Sequence, residues 1–385
     1  DSNKNVIDDA IVIFLPGPTS VTGENVFEIH IHGSIVVEKK IYERLAKRRG
    51  FRIANRGEFT KRAFLNGKID LTQAEGINDL INAETENQFK SSIAQYEGAL
   101  YEKLKLWRND IIFLRSKIEA FIDFSDEELP EEIEIEFKKK LSCLLKDMKS
   151  SIKSSNYGER IRNGFIITIL GKPNVGKSSL INYLSNKNVA IVTEEEGTTR
   201  DILEVFLDFG GFPIILNDTA GLRKTSSKVE KIGINRALNR AEKSDLILIL
   251  SDNGDYHIPD LKVATKKILV HTKSDLKKEC NGKGYKISVK NHEGIKELLE
   301  VIVDYLKMLA PPENVLLTRK RHVQGVKKAS SALKKTLTTN FGVNPELVAE
   351  DLRIAATEIG NITNIIDVEE ILDDIFNNFC IGKWF

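Results

Sequence analysis

The chain has 385 residues, 41% hydrophobic and 29% charged, an ordinary balance for soluble globular domains and enough length for two or three of them. Lys and Arg total 57 against 56 Asp and Glu, so composition alone does not argue for a nucleic-acid partner. Three scattered cysteines (Cys143, Cys280 and Cys380) exclude a disulfide framework and fit a reducing cytoplasm; no apolar run reaches membrane-spanning length.

Residues 1–68 read as α+β. The chain starts at Asp1 without a methionine and enters a strand almost at once, as a piece of a longer protein would. Ala10 to Leu15 is an apolar run expected to be a buried strand ending at Pro16-Gly17-Pro18. Val26 to His32 alternates with period two, which puts Glu28, His30 and His32 on one face. With no third ligand in view, the histidines read as polar-face residues rather than metal ligands. Residues 36–49 read as an amphipathic helix, and Arg44, Lys47, Arg48, Arg49, Arg52, Arg56, Lys61, Arg62 and Lys68 gather positive charge there. Such a cluster suits an anionic ligand or a solvated helix face.

From residue 71 to about 156 the pattern is helical, with an apolar stripe through Ile93, Leu100, Leu104, Trp107, Ile111, Leu114, Ile118 and Phe121. The acidic run 126–132 reads as a solvated turn and helix start. Residues 162–309 alternate apolar strands (165–170, 205–208, 213–217, 246–250, 268–271, 285–287) with helices, the pattern of a doubly wound α/β domain. Residues 313–379 return to helices rich in Leu, Ile and Ala. The expected architecture is multidomain: a Ras-like α/β G domain of the P-loop type (161–310) inserted in an all-α domain (69–160 and 311–385), after a truncated α+β domain (1–68).

The chemistry concentrates in the α/β segment. Gly171-Lys172-Pro173-Asn174-Val175-Gly176-Lys177-Ser178 follows a strand and opens a helix, the context a phosphate-binding loop requires. Its backbone N–H groups and the helix N-terminus favour an anion, Lys177 adds a charge near the β/γ-phosphates, and Ser178 offers a hydroxyl to Mg²⁺. Asp218-Thr219-Ala220-Gly221 ends a strand where an aspartate can hold Mg²⁺ through water. Gly197-Thr198-Thr199-Arg200-Asp201 lies between them as a candidate switch segment. Thr272-Lys273-Ser274-Asp275 can read a guanine edge through its carboxylate, and Ser288-Val289-Lys290 can meet the guanine carbonyl through backbone N–H groups. Five such elements in this order make a GTPase. Leu222 stands where Ras-like enzymes place a glutamine, so another group must orient water and another charge must serve the transition state. Arg200, Arg223, or a monovalent cation held by Asn174 are the candidates.

These motifs, with Pro16-Gly17-Pro18-Thr19-Ser20-Val21-Thr22-Gly23-Glu24-Asn25, the Gly57–Lys68 segment, Ile122-Asp123-Phe124 and the terminal Phe379-Cys380-Ile381-Gly382-Lys383, resemble the MnmE (TrmE) family of tRNA-modification GTPases over essentially the whole chain. The resemblance implies a site for GTP made by Asn174, Val175, Gly176, Lys177, Ser178, Ser179, Thr193, Glu194, Glu195, Glu196, Gly197, Thr198, Thr199, Asp218, Thr219, Ala220, Gly221, Thr272, Lys273, Ser274, Asp275, Ser288, Val289 and Lys290. It implies Mg²⁺ on Ser178 and Thr199, and K⁺ on Asn174 with Thr193, Glu195 and Thr198. Glu230, twelve positions beyond Asp218, matches the acidic residue that orients the hydrolytic water, and Lys177 joins it in catalysis. A formyl- or methylene-tetrahydrofolate would be met by Glu28, Lys68 and Lys383, and Cys380 matches a cysteine tied to the modification chemistry. The implied partners are the flavin- and NADH-dependent protein MnmG, tRNA modified at C5 of its wobble uridine, and a second copy of the chain whose G domains pair during hydrolysis. The implied compartment is the cytoplasm, with no membrane association.

The chain departs from the family pattern in three places. More chain is expected before Asp1, Thr272 replaces an asparagine while keeping a hydroxyl to brace the loop, and Trp384-Phe385 extend past Lys383. Two other readings compete: a ribosome-assembly GTPase sharing only the G domain, for which 313–379 shows no separate RNA-binding module, and a dimeric interaction scaffold.

Overall fold

The computed structural model describes residues 5–123, 131–187, 204–218, 240–256, 265–276, 284–311, 315–339 and 344–363. The chain forms two compact units, one built from Asp1–Ile81, Ile93–Lys146 and Gln324–Phe385, the other from Asn82–Ser92 and Asp147–Val323. The second unit interrupts the first in sequence.

In the first unit, β1 (Ile11–Leu15) pairs antiparallel with β2 (Val26–His30), Ile11 opposite His30 and Leu15 opposite Val26. The expectation of a buried strand here is corrected: Ile11 is 67% exposed and Phe14 50%. Among the described residues this sheet has two strands, and an apolar run does not say which layers pack on it. Phe14 and Phe27 stack across the ribbon with ring centres 4.6 Å apart. His32 lies past the strand, donating its backbone N–H to the Asp8 carboxylate at 2.9 Å and holding the other oxygen with Nδ1 at 2.8 Å. Among the described residues no group of three metal-ligating side chains forms.

Helix α1 (Ile35–Ala46) stops three residues short of the expected 36–49, and α2 (Glu58–Leu65) follows. Two members of the basic cluster are neutralised locally: Arg52 and Arg62 both reach Glu58 at 2.6 Å, and Arg62 also reaches Glu24. These hydrogen bonds, the one from Arg52 foremost, hold the Glu58 carboxyl at about 2.

Helix α3 (Leu71–Ile81) starts at Asp70, whose Oδ1 accepts from the Thr72 N–H at 2.7 Å and the Thr72 hydroxyl at 2.6 Å. Helix α4 (Glu86–Tyr96) leads to the long α5 (Ala99–Asp123) and α6 (Glu131–Asn163). Of the expected stripe, Leu100, Leu104, Trp107, Ile111, Leu114 and Ile118 are buried and packed on the final described helix, Pro345–Thr363, whereas Ile93, on α4, and Phe121 are only half-buried. That helix answers with Val348, Leu352, Ala355, Ile359 and Ile362. Among the described residues no helix is long and apolar enough to cross a membrane.

The second unit carries a six-stranded sheet: β3 (Phe165–Gly171), β4 (Glu204–Phe209), β5 (Phe212–Asp218), β6 (Leu246–Ser251), β7 (Lys266–His271) and β8 (Tyr285–Lys286), in the order β4-β5-β3-β6-β7-β8. Only the edge pair β4–β5 is antiparallel. All six residues of β6 are buried, which explains its unbroken apolar run in the interior of a parallel sheet. Asp245, just before β6, accepts the Ile166 N–H at 3.0 Å and pairs with Arg160, tying the entries of two strands together. Helices α7 (Lys177–Lys187) and α8 (Ile295–Met308) flank the sheet; α8 buries Ile295, Leu298, Ile302 and Leu306. Strand β3 sits between β5 and β6, so the strand order reverses at its carboxyl end. That is where open α/β sheets form their binding crevice.

Candidate nucleotide site

The loop leaving β3 is built by backbone requirements. A Cβ on Gly171 would lie 2.6 Å from the Leu250 carbonyl oxygen, so only glycine lets the turn press against β6. Asn174 (φ 62°) and Gly176 (φ 104°) then take left-handed conformations that curl the chain back on itself. Val175 anchors the loop by burying its side chain in the sheet core. Lys177 begins α7 and is itself buried. Its ammonium donates at 2.8 Å to the carbonyls of Gly171 and Lys172, spanning the loop from inside. Ser178 and Ser179 are exposed on the first turn of that helix.

The loops after β6 and β7 brace this turn. The Thr272 hydroxyl donates to the Val175 carbonyl at 2.6 Å and lies 3.3 Å from the Ser251 carbonyl. Lys273, held at φ 56°, donates to the Asn174 carbonyl at 2.7 Å and to Asp252 at 2.9 Å. Lys172 pairs with Asp255 at 2.6 Å. Sequence reasoning missed Asp252 and Asp255; the turn residues Asp-Asn-Gly-Asp directly after a buried strand are the signal that marks them.

Asp275 is exposed beside this frame and accepts the Ser288 hydroxyl at 2.7 Å, which holds its carboxyl below the usual aspartate range. Ser274 N–H bonds the Ile287 carbonyl at 3.2 Å, linking the segment after β7 to the one after β8. One expectation needs correction. The Ser288 N–H does not face a ligand but donates to the Glu293 carbonyl at 3.0 Å, because residues 288–293 close on themselves in a bridge. The Ser288 hydroxyl instead orients Asp275. Gly294 makes that closure possible, since its Cβ would stand 1.9 Å from the Lys286 carbonyl oxygen.

Asp218 ends β5 opposite Ile169, one strand from the phosphate loop. Thr219, Ala220, Gly221, the segment Thr193–Thr199 with its K⁺ and Mg²⁺ candidates, Glu230, Cys380 and Lys383 lie outside the described residues. In the first unit Glu28 is exposed beside His30 at 3.2 Å, and Lys68 donates to the Pro18 carbonyl at 2.9 Å.

Residues 1–68 match the family model described as the GTP-binding protein TrmE N-terminus, and residues 71–380 match the MnmE helical domain. The chain belongs to the MnmE family. The tRNA modification GTPase MnmE of Wolbachia sp. subsp. Brugia malayi is 43% identical over 397 residues, covering 100% of this chain and 88% of that relative. The protein of the same name from Bradyrhizobium sp. (strain ORS 278) is 41% identical over 393 residues, with the same coverage. Among solved structures, the G domain of the T. maritima FeoB iron transporter is 27% identical, covering 37% of this chain and 98% of that one, at a TM-score of 0.27. The P-loop sheet lies within residues 71–380, which match the family's helical domain, and in a family of GTPases it is the nucleotide-binding part of the chain.

Proposed function

We propose that this protein hydrolyses GTP at the Gly171–Ser178 loop and uses the cycle to drive modification of C5 of the wobble uridine in certain tRNAs, adding a carboxymethylaminomethyl or related group. The observation that carries the GTP reading is the 2.6 Å bond from Thr272 to Val175, which locks the base-reading segment ending in Asp275 onto the phosphate loop. One rigid frame then addresses both ends of the same nucleotide.

The residues present fit the groups the reading requires. A loop with left-handed Asn174 and Gly176 turns its N–H groups inward, and the buried Lys177 ammonium supplies positive charge inside it, which suits a polyphosphate. Ser178 and Thr199 would hold Mg²⁺; Asn174, Thr193, Glu195 and Thr198 would hold K⁺. Bound there, K⁺ supplies the positive charge that an arginine supplies in other GTPases, worth about 10³–10⁵ in rate. Asp275, ionised and oriented by Ser288, accepts the two N–H groups of a guanine edge. Glu230 takes the water-orienting role that Leu222 cannot.

The remaining parts of the reading rest on family membership. Glu28, Lys68 and Lys383 would bind a formyl- or methylene-tetrahydrofolate as one-carbon donor, with Cys380 in the modification chemistry. MnmG would bring flavin and NADH, and two copies of this chain would pair through their G domains, in the cytoplasm.

GTP hydrolysis in KCl against NaCl at equal ionic strength, with Asn174→Ala alongside, tests the core of this reading. A potassium-specific acceleration lost in the variant is expected. Equal rates in the two salts would assign the charge to Arg200, Arg223 or a partner.

A further inference from the structure

The helix Lys320–Thr338, α9 in chain order, carries six Lys and Arg and no Asp or Glu. They fall in three adjacent pairs at seven-residue spacing: Lys320-Arg321, Lys327-Lys328 and Lys334-Lys335. Seven residues are close to two helical turns, so successive pairs return to one face with a drift of only about 20° and stand about 10 Å apart along the axis. The structure sorts the helix accordingly. Lys327, Lys328, Lys334 and Lys335 are exposed, while Val326, Ala329, Leu333 and Thr336 on the other side are buried. Lys328 meets Glu358 at 3.6 Å. Among the described residues no carboxylate comes within 4 Å of Lys327, Lys334 or Lys335.

In a chain whose charges cancel overall, 57 against 56, this is a local concentration that composition hides. Repeated point charges on a rigid rod suit a polyanion with repeated charges, and lysine contacts phosphates without reading sequence. A membrane surface fits less well. The exposed positions between the pairs are the polar Gln324 and Ser331, and Leu337 near the C-terminal end is the single large apolar residue exposed on the helix, whereas interfacial helices insert several bulky apolar residues beside their cations.

We propose that this exposed face, centred on Lys327, Lys334 and Lys335, docks the phosphate backbone of the tRNA substrate. The proposal rests on the tRNA reading above and names the surface that reading needs.

The test is binding of an unmodified tRNA transcript to the full chain, followed by fluorescence anisotropy across a KCl series. The triple variant Lys327→Gln, Lys334→Gln, Lys335→Gln is compared with the Lys→Arg triple at the same positions. The Gln triple is expected to bind about tenfold or more weakly and to flatten the log K against log salt slope by about 2–3, because each lost phosphate contact removes about 0.7–0.9. The Arg triple should bind like the parent, and both should keep the parent's GTP hydrolysis rate and melting temperature. If the parent binds and the Gln triple matches it in affinity and slope, the surface is wrong and the tRNA reading stands. If the parent does not bind the transcript, both fall. Loss of binding to phosphatidylglycerol vesicles or to polyglutamate, with tRNA affinity unchanged, would assign the face to another polyanion and overturn the proposal.

Discussion

The hydroxyl of Thr272 and the carbonyl of Val175 are 97 positions apart in sequence and 2.6 Å apart in space. This bond makes the segment after β7 a structural part of the phosphate loop. Thr272→Val keeps the side-chain volume but leaves a buried carbonyl short of its donor, a cost of about 1–2 kcal/mol. We expect GDP and GTP to bind about 5- to 30-fold more weakly. Titration with a fluorescent guanine nucleotide measures this, and Thr272→Ser, which keeps the hydroxyl, should recover most of the affinity.

Asp275 is set by a different neighbour. Its carboxylate accepts the Ser288 hydroxyl, so that bond aims it before any base arrives. Asp275→Ala should lower guanine-nucleotide affinity about 100-fold, in line with the about 1.5–3 kcal/mol of a hydrogen bond to a charged group, and leave weak ATP binding unchanged. Ser288→Ala should lose a smaller part, about tenfold. Equal losses for GTP and ATP in competition binding would remove Asp275 from base recognition.

Gly294 and Gly50 separate two kinds of glycine. Both have positive φ, 70° and 91°, but a Cβ on Gly294 would collide with the Lys286 carbonyl oxygen while one on Gly50 meets nothing within 4 Å. Gly50→Ala should cost about 1 kcal/mol from its left-handed backbone alone. Gly294→Ala should cost about 3 kcal/mol or more and lower the melting temperature by several degrees, because the turn that starts α8 must move. Calorimetry of the two variants gives the comparison.

Acid should weaken the Glu24–Arg62–Glu58–Arg52 network. The folded Glu58 carboxyl sits at about 2, below its ordinary 4.5, so the native state binds this proton less tightly than the unfolded chain. Its contribution is fully present above about 4.5 and drains away as pH falls toward 2. Arg52 and Arg62 are 58% and 44% exposed, so solvent screening limits the effect to about 1 kcal/mol. The stability gap between the parent chain and Glu58→Gln should therefore close across that window in pH-dependent melts.

Much of this protein was legible in its sequence. The phosphate loop, the order of the motifs after it, the strands of the G domain and the buried stripe from Leu100 to Ile118 all follow from local rules. Period two or 3.6 sets a face, and glycine permits a turn whatever surrounds it. Tertiary structure decided what depends on distant partners. The apolar run in β1 forms its strand as expected but stays exposed, because burial is a property of the layers packed on a strand. Ser288 gave its N–H to Glu293 and its hydroxyl to Asp275, and Asp252 with Asp255 became clamps on the phosphate loop. The lysine pairs of 320–338 were visible as letters, yet only a helix with its other side buried turns a seven-residue spacing into one charged face. Local periodicity is a short-range constraint, whereas contacts between positions 97 residues apart exist only after the chain has folded.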